Sequence, residues 1–280
     1  MRRLRILTGQ NDPHMPYLHY YYPTRAFHKM GHTVVETGYV PGNFDFAFIQ
    51  ENQGGAPVTY HDYPLAYWAV DNEWHWPYDK DHACKTADVL FLSQHDWVEK
   101  YKEFSKGRVE WLPFGCDPDL HREVEAKERY DVGFVGMYEQ HRGRFLEALK
   151  KAGFSLRIHD SRQAGLLSWS ETCRFIAECR MVYNYSLAAG LNMRLYETLS
   201  MGKLLLTNRK GKDPDILFKD GEHLAVYESE EELVEKARYY LGDEDERRRV
   251  AKAGQKLVHE KHTYVDRMKF VIKTVLGEEI

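Results

Sequence analysis

Short apolar runs alternate with amphipathic stretches along almost the whole chain. Apolar and β-branched runs predict strands, and apolar positions three and four residues apart predict helices. In the first part, the predicted helices are Tyr17–Met30, which Gly31 ends, and Asp96–Phe104. The predicted strands of this part are Leu4–Thr8, Thr33–Thr37, Phe46–Gln50, Pro57–His61, Ala66–Val70, Val89–Ser93 and Val109–Pro113. Such alternation is typical of parallel crossovers, so we expect an open parallel sheet covered on both faces.

A second series of the same kind begins near Tyr130. Its predicted strands are Asp131–Gly136, Ser155–His159, Met181–Ser186, Lys203–Thr207 and Leu224–Tyr227, and its predicted helices are His141–Lys151, Ser170–Glu178, Met193–Met201 and Glu230–Tyr240. A charged, helical tail runs from Asp245 to Leu276. The stretch 117–128 between the two series is polar and lacks apolar periodicity, which predicts a linker. The sequence therefore predicts an α/β protein with two Rossmann-like domains, 1–118 and 128–262, facing across a cleft.

Composition limits the class of protein. The 280 residues are 43% hydrophobic and 29% charged, which excludes a disordered chain. The longest apolar runs are far below the roughly 18 residues of a membrane span, and Met1 leads into a strand without a leader-like segment. Four cysteines without Cys-x-x-Cys spacing predict reduced, packed thiols. We therefore expect a cytoplasmic protein without a transmembrane segment.

Aromatic residues are frequent, with 19 Tyr and 6 Trp, and many fall between residues 17 and 111. They could line a groove that stacks sugar rings or bases, although core packing explains any single ring equally well. The net charge of −4 argues mildly against DNA as a partner. The chain has no phosphate-loop motif, no Gly-x-Gly-x-x-Gly turn, no Gly-x-Ser-x-Gly elbow and no His-Glu-x-x-His. Nucleotide hydrolysis of the usual kind, dinucleotide redox chemistry and α/β-hydrolase chemistry therefore lose weight.

The first candidate site is the segment 133–144, where a strand ends at Gly136 and a helix follows. Arg142 and Arg144 lie in the first turns of that helix. Exposed amides at a helix start and guanidinium groups together suit a diphosphate. A tight turn with surface arginines is the alternative.

The second candidate site is the segment 186–197, a loop of small residues followed by a helix. Gly190, Leu191 and Asn192 would let the backbone approach a ligand closely. Arg194 and Glu197 lie three residues apart on one helix face, so the carboxylate could bridge two ribose hydroxyls with the arginine near a phosphate. An ordinary intrahelical ion pair is the alternative.

The third candidate site is the segment 68–75, at the carboxyl end of an apolar run, where parallel sheets place their ligands. Asp71, Glu73 and His75 alternate there, but two carboxylates and one histidine are too few and too common to indicate a metal. We expect no metal and no cofactor. Asp71 is the better candidate for a polar group that faces an acceptor, unless it is a satisfied loop carboxylate.

Residues 88–265 resemble the group-1 glycosyltransferases of the GT-B fold, and most closely their CgeB-like subgroup. The likeness is carried by Ser93-Gln94, Leu112-Pro113-Phe114-Gly115-Cys116-Asp117, Asp131–Gly136 with Arg142, Asn192-x-Arg194-x-Tyr196-Glu197-x-x-x-Met201-Gly202-Lys203-x-Leu205-Leu206-x-Asn208, and Phe218-x-Asp220-Gly221-Glu222-His223. The resemblance implies that residues 1–118 bind the acceptor, that residues 128–262 bind a nucleotide sugar, and that a last helix near 264–280 crosses back to the first domain.

The chain departs from the family pattern at two places. That pattern has two glutamates separated by seven residues, and where Glu197 would be the second, Ala189 stands in place of the first. Whether backbone amides around Gly190 to Asn192 replace the missing side chain is open. The segment 9–14 takes the place of the family's glycine-rich first loop but has one glycine, so its phosphate role is weak.

The resemblance implies a hexosyl- or pentosyltransferase that moves a sugar from a nucleoside diphosphate sugar to an acceptor hydroxyl, with a UDP-sugar favoured and a GDP-sugar possible. Arg142 and Arg194 would stabilise the departing diphosphate without a metal. Asp71 or His75 could accept the acceptor's proton, or the leaving phosphate could do so with retention at the sugar.

Three other functions stay open at this point. The first is a nucleotide-binding module that has lost catalysis, which would explain the missing glutamate. The second and third are a GT-B epimerase and a GT-B phosphorylase, which would use the same fold. The acceptor itself is open between a saccharide, a metabolite, a peptide and a modified nucleic-acid base.

Overall fold

The structure, a computed structural model, describes residues 2–9, 21–36, 42–50 and 62–277. The strands are β1 (Arg5–Thr8), β2 (Thr33–Glu36), β3 (Phe46–Gln50), β4 (Leu65–Ala69), β5 (Val89–Leu92), β6 (Arg108–Trp111), β7 (Tyr130–Gly136), β8 (Leu156–Asp160), β9 (Cys179–Asn184), β10 (Leu204–Asn208) and β11 (Ala225–Tyr227). The helices are α1 (Tyr21–Lys29), α2 (Asn72–Asp81), α3 (Ala83–Thr86), α4 (Val98–Lys102), α5 (Gln140–Lys151), α6 (Ser161–Ala164), α7 (Trp169–Ala177), α8 (Met193–Ser200), α9 (Asp213–Leu217), α10 (Glu230–Gly242), α11 (Glu244–Lys261) and α12 (Tyr264–Leu276).

The strands form two parallel sheets, as predicted. The first has six strands in the order β2-β1-β3-β4-β5-β6, and the second has five in the order β11-β10-β9-β7-β8. In the second sheet β7 pairs with β8 on one side and β9 on the other, so the chain reverses its direction of winding between β7 and β9. Open α/β sheets bind ligands outside the carboxyl ends of their strands at such a switch point.

Most predicted strands agree with the structure to within two residues, and the α/β two-domain class is confirmed. The predicted strand Pro57–His61 and the start of the predicted helix Tyr17–Met30 lie outside the described residues. Helices α2, α3, α6 and α9 are absent from the prediction. In α2, exposed aromatic and charged residues and Pro77 hide the helical period, and the other three helices have only four or five residues. The tail divides into α11 and α12, since Thr263 and Asp266 form a capping box that starts a new helix.

The last helix returns to the first domain, as the resemblance implied. Helix α12 packs along α1, where the Tyr264 ring stacks on the Tyr22 ring with centroids 4.7 Å apart. Further along α12, the Phe270 ring meets the Phe91 ring of β5 edge to face. Helix α12 therefore packs against the first domain although it follows the second domain in sequence, and it connects the two domains.

The structure agrees with two expectations from composition, packed cysteines and helices too polar or too short to span a membrane, among the residues it describes. Cys84, Cys116, Cys173 and Cys179 are free and buried, as packed thiols should be. None of the described helices is long and apolar enough to cross a membrane. The domain boundaries at 118 and 128 stay a prediction.

Candidate functional site

A cavity of about 470 Å³ opens at the switch point of the second sheet. Its wall is formed by the carboxyl ends of β7, β8 and β9 and by the first turn of α8, joined by Tyr22 of α1 and His121 of the interdomain segment. The lining residues that bear on function are Tyr22, His121, Gly136, Arg142, His159, Arg162, Trp169, Asn184, Asn192, Arg194 and Glu197. Five predicted site residues, Gly136, Arg142, Asn192, Arg194 and Glu197, therefore meet at one cavity.

Arg142 joins two strand ends at the cavity wall. Its Nε and Nη2 donate to the carbonyl oxygen of Tyr185, each at 3.2 Å, and its Nη1 donates to the carbonyl oxygen of Met137 at 3.1 Å. Burial lowers the pKa of Arg142, although nearby Glu139 opposes the shift. A guanidinium group carries five N–H donors, so these bonds fix its plane and leave donors for an anion in the cavity.

Two amides at the start of α5 are capped by a side chain, which corrects the sequence prediction of exposed amides at this turn. Glu139 is the N-cap of α5, and its carboxylate accepts from the amides of Arg142 at 2.9 Å and His141 at 3.1 Å. Arg144 pairs instead with Glu230 at 2.5 Å on the outer face, where the arginine side chain is 66% exposed. An anion at this corner would therefore meet the guanidinium of Arg142 rather than a helix N-terminus.

Helix α8 starts at the opposite wall. Asn192 is its N-cap, accepts from the Leu195 amide at 3.3 Å and donates through Nδ2 to Oδ1 of Asn184 at 3.0 Å. This ties the helix start to the end of β9. Asn192, Met193 and Arg194 at the start of α8 thus border the cavity together.

Gly190 and Leu191 do not line this cavity. Leu191 is buried in the hydrophobic core, and the Gly190 amide donates to the Lys210 carbonyl oxygen at 3.2 Å. Gly190 has φ +114, and a Cβ there would lie 3.0 Å from Oδ2 of Asp213 and 3.1 Å from Cγ of Gln94. These two residues shape the loop between the domains, and their role as ligand-binding residues stays a prediction.

Glu197 is the best-anchored carboxylate of the site. Its Oε2 lies 2.8 Å from Nη1 of Arg194, and its Oε1 accepts from the hydroxyl of Tyr22 at 3.1 Å. Burial raises the pKa of Glu197, but the charges of Arg194 and His121 and the Tyr22 hydrogen bond outweigh it, so the net pKa is lowered. The intrahelical ion pair considered from the sequence is thus present, and it holds an ionised carboxylate at the cavity wall.

Three aromatic residues of the site were missed from the sequence. The Tyr22 hydroxyl lies 3.1 Å from Nε2 of His121 and accepts from Nε1 of Trp169 at 3.1 Å. Burial lowers the pKa of His121, and its Nδ1 has no partner among the described residues. No local pattern marks Tyr22 or His121. Trp169 lies in the segment after β8, and β8 is the neighbour of β7, which ends at the predicted site residue Gly136. The pairing of these two strands therefore indicates that Trp169 lies near the site.

The third predicted segment lies at the domain boundary. Asp71 precedes α2 and is exposed, His75 lies one turn further on, and neither lines the cavity. Glu73 between them reaches the second domain, where its Oε1 accepts from the Ala189 amide at 2.7 Å. No group of three or more His, Cys, Asp or Glu side chains suited to a metal occurs in the parts of the chain that the structure describes. The catalytic roles assigned to Asp71 and His75 stay predictions.

Comparison with known proteins identifies the fold of the whole chain. Residues 141–273 match the family described as "Glycosyl transferase-like". Sucrose-phosphate synthase from Thermosynechococcus elongatus is similar with a TM-score of 0.71 at 9% identity, covering 98% of each chain. HepE from Anabaena, in complex with UDP and glucose, has a TM-score of 0.69 at 13% identity, covering 99% of this chain and 100% of that one. A glycosyltransferase from Rickettsia africae has a TM-score of 0.69 at 10% identity over 99% and 100%.

No curated protein matches the sequence. The closer likeness to the CgeB-like subgroup stays a prediction. The family match falls on the domain that carries Arg142, Arg194 and Glu197, and the structural matches extend over both sheets. Residues 141–273 are therefore similar to the glycosyl transferase-like family, and the chain has the two-domain GT-B fold of these glycosyltransferase structures.

Proposed function

We propose that this protein is a glycosyltransferase whose donor is a nucleoside diphosphate sugar, with UDP favoured over GDP, that binds in the cavity at the β7–β9 switch point. The observation that carries the proposal is the convergence of two arginines and one ionised carboxylate on that cavity: Arg142, Arg194 and Glu197. HepE, which has the same fold, binds UDP and glucose. Its bound ligand supports UDP as the first candidate here.

Each part of such a donor has a matching group in the cavity. A carboxylate accepts hydrogen bonds from two neighbouring hydroxyls, which suits Glu197 to the ribose. The diphosphate fits between Arg142 and the start of α8, where the helix dipole adds to the charge of Arg194. Trp169 and the aliphatic Leu166 and Leu167 offer apolar surface to the base.

The reaction breaks the bond between the sugar's anomeric carbon and the diphosphate oxygen and forms a bond to the acceptor oxygen. Negative charge grows on the leaving diphosphate as its bond breaks, and Arg142 is held in place by two carbonyl groups before that charge appears. Donors that need no reorganisation stabilise such a transition state most strongly. We propose on this basis that turnover requires no metal.

The acceptor's proton goes to the leaving phosphate or to a side chain of the first domain. Asp71 and His75 remain the candidates for the second route, and the first route accompanies retention at the sugar, which is part of the proposal. The four buried, free cysteines fit a reducing compartment, so we also propose a cytoplasmic location.

A nucleotide-binding module without turnover is the second candidate. Ala189 favours it, because the family's first glutamate is absent there. This candidate predicts nucleotide binding with no release of sugar from any donor.

A thermal-shift screen against UDP, GDP, ADP, CMP and their sugars, with magnesium or with EDTA, tests the donor site. A ligand that binds the folded state raises the melting temperature, and we expect a shift with UDP that EDTA does not remove. Arg144→Ala is the matched control for Arg142→Ala, since both arginines lie on α5 but only Arg142 lines the cavity. A shift with no nucleotide would contradict the proposal, and a shift without donor turnover would favour the second candidate.

A further inference from the structure

Glu73 brings a carboxylate of the first domain into contact with the second. It lies in the first turn of α2, at the carboxyl end of β4, and is partly buried. Side chains turn by about 100° per residue along a helix, so Glu73 does not share the face of Asp71 and His75. Its Oε1 lies 2.7 Å from the amide nitrogen of Ala189 across the cleft.

The loop that Glu73 contacts is fixed at several points and leads into the cavity. The Ser186 amide donates to Oδ1 of Asn208 at 2.7 Å, and the Gly190 amide donates to the carbonyl oxygen of Lys210 at 3.2 Å. The loop ends at Asn192, which lines the cavity. Glu73 therefore contacts, from the first domain, the loop 186–192 that ends at the cavity.

The second carboxylate oxygen of Glu73 is left for another partner. A carboxylate has about four acceptor positions on its two oxygens, and the Ala189 amide uses one of them. Within the described parts of the chain, no donor bonds to Oε2 of Glu73. The side chain at position 189 is only a methyl group, so the carboxylate can lie against that amide without competition.

We propose that Glu73 accepts a hydrogen bond from a hydroxyl group of the transferred sugar and thereby helps to select that sugar. The proposal rests on the donor site described above, from which the sugar must project toward the cleft to meet an acceptor. A carboxylate fixed by one oxygen presents the other as a strong, charge-assisted acceptor. Sites that hydrogen-bond a substrate hydroxyl discriminate strongly against analogues in which that hydroxyl is missing or displaced.

Two substitutions separate sugar binding from a purely structural role. Glu73→Gln keeps an acceptor oxygen for the Ala189 amide but replaces the second oxygen by a neutral NH₂ donor. Glu73→Ala removes both contacts. Glu103→Gln, an exposed glutamate of the same domain, is the control for the change of charge.

Calorimetry of the full chain with UDP, UDP-glucose, UDP-galactose and UDP-N-acetylglucosamine tests the proposal. We expect the affinity for UDP to stay within about twofold of wild type in both Glu73 variants. Affinity for the preferred UDP-sugar should fall by about ten- to hundredfold, the range for a hydrogen bond to a charged group. The preference between the glucose and galactose donors should narrow, and Glu103→Gln should behave as wild type.

Three outcomes would overturn the proposal in different ways. If Glu73→Gln binds the preferred UDP-sugar as tightly as wild type, Glu73 only holds the loop. If affinity for UDP falls together with affinity for the UDP-sugar, Glu73 shapes the whole cavity and reads no sugar hydroxyl. If wild-type protein binds neither UDP nor any UDP-sugar, the proposed donor site fails and this inference fails with it.

Discussion

The two sides of the cleft supply their side chains to the site in different ways. The second domain provides clusters of residues close in sequence, such as Gly136 with Arg142 and Asn192 with Arg194 and Glu197. Among the described residues of the first domain, Tyr22 alone reaches the cavity wall, and Glu73 reaches the neighbouring loop. The second side is thus built by strand-to-helix turns, and the first side by single residues that packing carries to the cleft.

The difference teaches where local motifs are informative. At a strand-to-helix turn, the residues that face a ligand lie within one or two turns of each other, so their spacing is visible in the sequence. A residue such as Tyr22 acts through a partner 175 positions away, Glu197, and no spacing rule applies to it. If this contrast is correct, substitutions in the second domain should lower turnover. Substitutions of residues at the boundary between the domains should instead change stability or sugar selection.

The largest effect is expected for Arg142→Ala. Turnover should fall by about a hundred- to a thousandfold, because a preorganised donor to the departing diphosphate is lost. Initial rates of donor consumption, with saturating donor, measure the change in kcat. Arg144→Ala should leave kcat unchanged, since that side chain pairs with Glu230 on the outer face. Equal losses in the two variants would remove the asymmetry within α5.

The next largest effect is expected for Glu197→Ala, because Glu197 lies in the second domain and binds Tyr22 of the first domain. Removing Glu197 should cost about 2–3 kcal/mol in the free energy of unfolding, because Arg194 loses its carboxylate but its side chain is 24% exposed to solvent. Affinity for the nucleotide sugar should fall as well. Tyr22→Phe removes only the hydroxyl and should cost about 1 kcal/mol. Urea unfolding and calorimetry measure the two quantities, and a stable Glu197→Ala protein with unchanged affinity would contradict the site.

A smaller effect is expected for Gly190→Ala, at the boundary itself. Both Gly190 and Gly153 have positive φ, at +114 and +91, but only at Gly190 would a Cβ meet other atoms, at 3.0 Å and 3.1 Å. Backbone strain of about 1–2 kcal/mol is common to both substitutions, and overpacking at Gly190 should add about 1 kcal/mol or more. The difference between the free energies of unfolding of Gly190→Ala and Gly153→Ala, measured in urea, isolates the contribution of the interdomain contact. Equal destabilisation would mean that the boundary tolerates a methyl group.

The smallest effect is expected for Asp213→Asn. Burial, with the negative charge of Asp96 adding to it, raises the pKa of Asp213 from 3.8 to about 6. The folded protein therefore binds this proton more tightly than the unfolded chain, so the free energy of unfolding should decrease as pH rises from about 4 to about 6. Asparagine keeps an acceptor for the His95 amide, which Asp213 binds at 3.1 Å, and avoids the buried charge.

We expect Asp213→Asn to raise the free energy of unfolding at pH 7 by about 1 kcal/mol, because a buried NH₂ without a partner offsets part of the gain, and to flatten its decrease between pH 4 and pH 6. Chemical denaturation across that range measures both effects. Asp245→Asn, at an exposed position, is the control and should change neither. A stability profile that keeps its slope in the variant would show that another group titrates at the boundary.

Much of the second domain could be predicted because its signals are local. Gly136 and Arg142 mark one turn, and Asn192, Arg194 and Glu197 mark another, and all five line the cavity. The prediction for the start of α5 was wrong, because spacing cannot tell whether helix amides are exposed or capped. Glu139 caps two of them, so those amides are not available to an anion.

The sequence by itself determined the alternation of strands and helices, the two parallel sheets and the turns that carry the arginines. These follow from side-chain periods and from residues near each other in the chain. Only the tertiary structure decided which first-domain residues reach the second: Tyr22 on Glu197 and Glu73 on Ala189. The reason is physical, since the order of parallel strands and the closing of α12 over α1 bring distant segments together, and no short pattern encodes that approach.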